Sequence, residues 1–239
     1  MPAGVIAGIT GSVAGLASLV SYPALLALGL PPVIANVSNT VALVFGGIGA
    51  VSASRVELAG QARRIVPLAI ATISGGIVGG LLLMIAPAVS FVYVVPWLIA
   101  GASGAVLLPR RMRPKAATHL HKPALYAGTT IIGVYGGYFG AASGVLFLAL
   151  LLATTDDTLP QIGAVRNLAL GLSNAVASIV FIAYGSVRWL AAIPLALGFL
   201  IGGRIGPVIT RKTPAAPLRF AIGLGGFALA IDLAWHAYR

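Results

Sequence analysis

The chain has 239 residues, of which 59% are hydrophobic and 8% charged, against about 25% charged residues in an ordinary soluble domain. A water-soluble globule is excluded. Lys and Arg number 15 and Asp and Glu 4, a net charge of +11. The basic residues sit in short breaks between apolar runs, the placement of the positive-inside rule and not of a nucleic-acid-binding face. Cysteine is absent, so disulfides, thiolate metal ligands and thiol nucleophiles are ruled out.

In chain order, Met1-Pro2-Ala3-Gly4 leads straight into an apolar run, which reads as a retained span and not a cleaved signal peptide. No charged side chain precedes Arg55, and positions 65 to 109 are again charge-free. Each stretch is long enough for two crossings of about 20 residues. Breaks at Gly29-Leu30-Pro31-Pro32, Arg55 to Arg64, Ala86-Pro87, Pro109 to Lys122, Thr154 to Pro160, Gly185-Ser186 and Arg211 to Pro217 leave eight apolar segments. They run approximately 3 to 28, 33 to 54, 65 to 86, 91 to 108, 123 to 153, 161 to 184, 188 to 210 and 217 to 237. The runs are too long and too uniformly apolar for barrel strands of about 10 alternating residues, so helices are expected.

The chain also repeats itself. Gly11-Ser12-Val13-Ala14-Gly15-Leu16-Ala17-Ser18 aligns with Gly136-Gly137-Tyr138-Phe139-Gly140-Ala141-Ala142-Ser143, and Asn39 falls near Asn167. Pro67 with Gly75-Gly76 and Gly79 aligns with Pro194, Gly202-Gly203 and Gly206. The expected architecture is an all-α polytopic membrane protein of about eight transmembrane segments in two homologous four-segment repeats, with broken or re-entrant helices 1 and 5. Residues 1–108 form the first repeat, 109–122 a basic cytoplasmic linker and 123–239 the second repeat. Repeated halves with interrupted helices at matching positions are the pattern of secondary transporters. If segments one and five cross fully, Arg239 is cytoplasmic; if they are re-entrant, the halves are inverted and Arg239 is extracytoplasmic. Charge counting satisfies both arrangements.

The candidate substrate-binding residues lie in two kinds of element. The first is the glycine-rich pair: Gly11, Ser12, Gly15 and Ser18 with Tyr22, and Gly136, Gly137, Tyr138, Gly140 and Ser143. Glycine at this density weakens a helix by about 1 kcal/mol per site, and an unwound mid-membrane helix is tolerated only against protein or a wet cavity. Its half-helix N-termini attract anions. The competing reading is close helix packing through GxxxG spacing, which Gly4/Gly8, Gly75/Gly79 and Gly202/Gly206 also satisfy. The second element is polar groups inside segments two and six: Ser38, Asn39 and Thr40, then Arg166, Asn167 and Asn174. Arg166 carries a fixed five-donor fork suited to oxyanions, unless it snorkels to the headgroups. Snorkelling is the better account of Arg204, and an interfacial belt with Trp235 the better account of Asp232 and His236. His119 and His121 sit in the basic linker without further ligands. No two carboxylates share an apolar segment and no phosphate-binding loop occurs, so neither acid–base catalysis nor ATP hydrolysis is expected. The protein is not expected to be an enzyme, and no cofactor or metal is expected.

The glycine run 11–18 followed by Tyr22-Pro23-Ala24-Leu25-Leu26, Gly29-Leu30-Pro31-Pro32 and Ala35-Asn36-Val37-Ser38-Asn39-Thr40-Val41-Ala42-Leu43 resembles the sulfite exporter TauE/SafE family of bacterial membrane proteins. So do Gly136 to Gly144, Arg166-Asn167 and Pro194-Leu195-Ala196-Leu197-Gly198. The likeness runs along the whole chain, and one departure from the family's pattern is the first glycine run, Gly11-Ser12-Val13-Ala14-Gly15, which is poorer in glycine. It implies a two-repeat transporter or exporter of small sulfur-containing anions, such as sulfite or organosulfonates, in the bacterial inner membrane. The expected partners are that small inorganic or organic anion and the lipid bilayer, with a homodimer admissible and no nucleic acid. A non-transporting membrane scaffold and a carrier of another small solute are the competing readings.

Overall fold

A computed structural model describes residues 1–107, 122–155, 157–211 and 216–238. The basic linker therefore lies outside the described residues except for Lys122, as do His119 and His121. Among the described residues every regular element is a helix: α1 (Pro2–Ala14), α2 (Ala17–Ala27), α3 (Pro32–Ala53), α4 (Arg55–Leu58), α5 (Ala62–Ile85), α6 (Ala88–Leu107), α7 (Lys122–Tyr138), α8 (Ser143–Thr154), α9 (Leu159–Tyr184), α10 (Trp189–Thr210) and α11 (Ala216–Tyr238). Four of them, α3, α5, α9 and α10, are long and apolar enough to cross a membrane. The first and fifth apolar segments are each broken into two helices, α1 with α2 and α7 with α8. The break expected over 55–64 contains the single turn α4.

Pro2 and Pro32 stand at helix starts, where a missing N–H costs nothing. Pro67 and Pro194 fall in the second turns of α5 and α10. Here an unpaired carbonyl is tolerable because neighbouring helices can re-satisfy it.

Helix association in lipid relies on close packing, since lipid tails compete with apolar side chains. Glycine provides the approach. Down α1, Gly4 meets Leu195 and Gly198, Gly8 meets Phe199 and Gly202, and Ser12 reaches Gly206, so α1 and α10 run parallel. Down α7, Gly133 meets Thr72 and Gly75, Gly137 meets Gly76, and Tyr138 reaches Gly79, so α7 and α5 run parallel. α3 follows α10 through Ser38 with Arg188, Gly46 with Phe199 and Gly49 with Leu200. α9 follows α5 through Ser173 with Gly76, Ala177 with Gly80 and Gly185 with Met84. The chain thus forms two parallel trios, α1-α3-α10 and α5-α7-α9, which cross where Gly47 meets Gly171. α6 and α11 pack on each other, and the Trp97 indole N–H donates to the Tyr238 hydroxyl at 2.9 Å.

One face of the bundle gathers the ends of α3, α4 and α10 and the starts of α5 and α9. There Arg211 pairs with Glu57 at 2.6 Å, and Arg64 pairs with Asp157. The opposite face gathers the starts of α3 and α6 and the ends of α5 and α9, with the start of α10 beside them. Apolar side chains such as Ile70, Ile77, Ile179, Ile182, Leu190 and Ile193 are exposed along the long helices. Such a belt would be a liability in water and is the expected surface in lipid.

Candidate functional site

The two breaks are built alike. α1 ends because Gly15 takes φ 78°, a left-handed turn in which the N–H groups of Gly15 and Leu16 bond back to Gly11 and Thr10. α7 ends as Gly140 takes φ 73°, its N–H donating to the Tyr135 carbonyl at 2.9 Å. Glycine reaches this region without the Cβ penalty that other residues meet. Ala142, also at positive φ (55°), starts α8. It is held there by full burial and by its neighbour Ala141, whose carbonyl accepts the Tyr135 hydroxyl at 2.6 Å. The two tips touch. A Cβ on Gly15 would lie 2.5 Å from the Gly144 carbonyl carbon, and one on Gly144 would lie 2.5 Å from the Gly15 Cα.

Beside this contact lies a cavity of about 70 Å³, several times the 10–15 Å³ or so that one water occupies on this scale. Gly11, Ser12, Gly15 and Ser18 line it from α1 and α2. Gly140 and Ser143 line it from the second break, and Asn167 and Asn174 from α9. Eight of the sequence-derived candidates are therefore brought together. The first turns of α2 and α8 both border the space, and first-turn N–H groups have no partner within their own helix. With Ser18 and Ser143, two helix N-termini and two hydroxyl-bearing residues stand in the wall of one cavity that no described carboxylate lines.

The remaining candidates stand behind this lining. Asn39 accepts the Ser21 hydroxyl at 2.6 Å and donates to Ser18 at 3.3 Å, so it orients α2. Ser38 accepts the Arg188 backbone N–H at 2.9 Å, and the Thr40 hydroxyl donates to the Asn36 carbonyl within its own helix. Gly137 is a packing glycine, since a Cβ there would overlap the Gly76 carbonyl. Gly136 faces Ser173. Tyr22 and Tyr138 belong to an aromatic layer beyond the tips. Arg166 is 1% exposed, its side chain enclosed by protein. Its fork donates to the carbonyls of Gly11 (3.3 Å) and Ser12 and to Asn167 Oδ1 (2.9 Å). It therefore caps the C-terminal end of α1 with a positive charge, beside the cavity and not in its wall. Arg204 is exposed near the basic end of α10, and Asp232 and His236 are exposed on α11, none of them in the cavity wall.

Sequence reasoning missed Gly8, Gly46, Gly47, Gly144 and Gly171, which also form the wall. Gly46-Gly47 and Gly171 lie within otherwise apolar spans, where nothing in the local pattern distinguishes a cavity wall from a helix contact.

A bundle of long apolar helices, with two interrupted helices meeting beside a cavity that carries serine and asparagine side chains among glycines and apolar groups, has the architecture of a multi-pass membrane protein. Residues 1–233 match the family described as Sulfite exporter TauE/SafE, and the chain belongs to that family. It is similar to the probable membrane transporter protein ORF9 of Sinorhizobium sp., 28% identical over 95% of this chain and 88% of that one. A probable membrane transporter protein of Haemophilus influenzae is 25% identical over 90% and 86%. The probable membrane transporter protein YfcA of Escherichia coli is 27% identical over 84% and 76%. No solved structure matches the chain.

Proposed function

We propose that the chain exports a small sulfur-containing oxyanion, sulfite or an organosulfonate, across the bacterial inner membrane, binding it in the cavity between the two helix breaks. The observation that carries this reading is the convergence of two helix N-termini, Ser18 and Ser143 on a cavity whose described lining has no carboxylate. The Arg166 guanidinium, held against the end of α1, adds a positive potential without occupying the space. The family membership supports the substrate class.

In this reading α1–α2 and α7–α8 are re-entrant pairs and the two halves are inverted repeats. Support comes from the packing directions: α1 and α3 run with α10, α7 and α9 run with α5, and each trio therefore mixes the two halves. The face with Arg64 and Arg211 is cytoplasmic by the positive-inside rule.

Direction follows from charge. A monoanion in a cell at about −100 mV is driven outward by ~2.3 kcal/mol, a gradient of roughly 50-fold. Export then needs no coupling ion. Flux of labelled sulfite, an alkanesulfonate and sulfate from proteoliposomes tests the proposal. Movement of sulfite or the sulfonate supports it, and a flat trace across the panel favours a scaffold.

A further inference from the structure

The cavity between the breaks is not the only space along the bundle. A second cavity, of about 240 Å³, lies at the face opposite the basic one, between the start of α3, the end of α5, the start of α6 and the end of α9; Val33, Val37, Phe91 and Ser186 are in its wall. Four aromatic rings in mutual contact stand next to the linings of both spaces. Tyr22 meets Phe139 edge-on at 5.3 Å, Phe91 meets Phe139 at 5.8 Å, and Phe91 meets Tyr138 at 5.8 Å.

The chain carries this layer from one cavity to the other. Phe139 directly precedes Gly140, and Tyr22 lies one turn beyond Ser18, both of which line the inner cavity. Phe91 lines the outer one. Tyr22, Phe91 and Phe139 are each 1% exposed. We infer that Tyr22, Phe91, Tyr138 and Phe139 form a closed outer gate between the substrate cavity and the face opposite Arg64 and Arg211.

Two of the buried polar atoms without a partner lie at this layer. The Tyr22 hydroxyl and Asn36 Oδ1 are buried with no hydrogen-bond partner among the described residues. The other end of the Asn36 amide donates to the Tyr138 carbonyl at 2.9 Å, so this side chain holds the tip of α7 against the layer. A permanently closed apolar plug gains nothing from such groups, since each unmet group opposes burial. A layer that parts to admit water and an anion meets them in its open state. Closed and open states are then nearer in free energy than an all-apolar plug would allow, and the anion's differential affinity can shift the balance. The gate rests on the transport reading, because a passage needs a traveller.

The absence of cysteine makes the test direct. Ala17→Cys places a thiol in the wall of the inner cavity, and Ser186→Cys places one in the outer cavity. A membrane-impermeant charged methanethiosulfonate is applied to the face bearing Ser186, with the full-length protein in the membrane. Ser186→Cys is expected to react readily and Ala17→Cys slowly. Adding Phe91→Ala is expected to speed Ala17→Cys labelling at least about tenfold, the ratio that a 1.4 kcal/mol shift produces, with Ser186→Cys labelling unchanged. Tyr22→Phe keeps the ring and removes the orphaned hydroxyl, so it is expected to slow Ala17→Cys labelling about fivefold or more. This second variant decides alone if Phe91→Ala does not reach the membrane. Fast labelling of Ala17→Cys in the parent, or no change in the deciding variant, overturns the gate. Gated labelling with no anion flux leaves the barrier standing and removes the transport reading. Flux with an open Ala17→Cys does the reverse.

Discussion

Gly15 and Gly144 meet backbone to backbone, each standing where a side chain on the other would have to be. They belong to different breaks, so this contact fixes how the two half-helix N-termini face the cavity. Gly15 is also at positive φ, whereas Gly144 lies inside α8 and is constrained by space alone. Gly144→Val is therefore expected to push the tips apart and abolish anion flux, with an overpacking cost of about 1–3 kcal/mol. Flux together with a thermal unfolding midpoint checks this: retained flux removes the contact from the mechanism.

Ser18 and Ser143 occupy corresponding positions of the two breaks and both line the cavity. Their hydroxyls differ in their present partners. Ser143 donates to the Gly140 carbonyl at 2.9 Å, and Ser18 accepts from Asn39 at 3.3 Å. Each single alanine variant is expected to weaken anion binding by about 2- to 10-fold, the net worth of one hydrogen bond. Titration of the purified protein with sulfite, followed by thermal stabilisation, measures the loss.

Arg166 acts on the end of α1. Arg166→Ala strips a buried charge from the Gly11 and Ser12 carbonyls, and charge-assisted bonds are worth about 1.5–3 kcal/mol. It is expected to lower both flux, by about 10-fold or more, and the unfolding midpoint. Arg166→Lys retains charge without the fork and is expected to fall between alanine and parent. An alanine variant that transports and melts as the parent does would deny Arg166 any role in placing α1.

The inverted arrangement puts the end of α11, where Tyr238 bonds to Tyr93 and Trp97 of α6, toward the face opposite Arg64 and Arg211. A reporter fused after Arg239 is expected to read extracytoplasmic. A cytoplasmic signal would sink the re-entrant reading and restore two full crossings.

An uncoupled anion exporter responds to voltage alone. Imposing about −100 mV inside proteoliposomes is expected to raise the outward-to-inward ratio for a monoanion by roughly 50-fold, with no dependence on a proton or sodium gradient. A gradient requirement at zero voltage would point to coupled transport.

Composition and the charge-free runs determined that the chain is helical and membrane-embedded, because backbone groups in lipid must bond within their own segment. The glycine alignment located the breaks too: Gly15 and Gly140 correspond in the two runs and both adopt the left-handed turn, a local demand that glycine meets wherever the chain goes next. What each glycine and polar group faces was decided only by the tertiary structure. Gly137 packs on Gly76 while Gly140 borders the cavity, though three positions apart in one motif. The aim of Arg166 was equally hidden, since its acceptors on Gly11 and Ser12 lie some 155 residues away. In a soluble helix, polarity marks the outward face; in lipid both faces are apolar. The periodicity that would sort lipid-facing from cavity-facing residues is therefore missing from the sequence, and only the packing of the two halves supplies it.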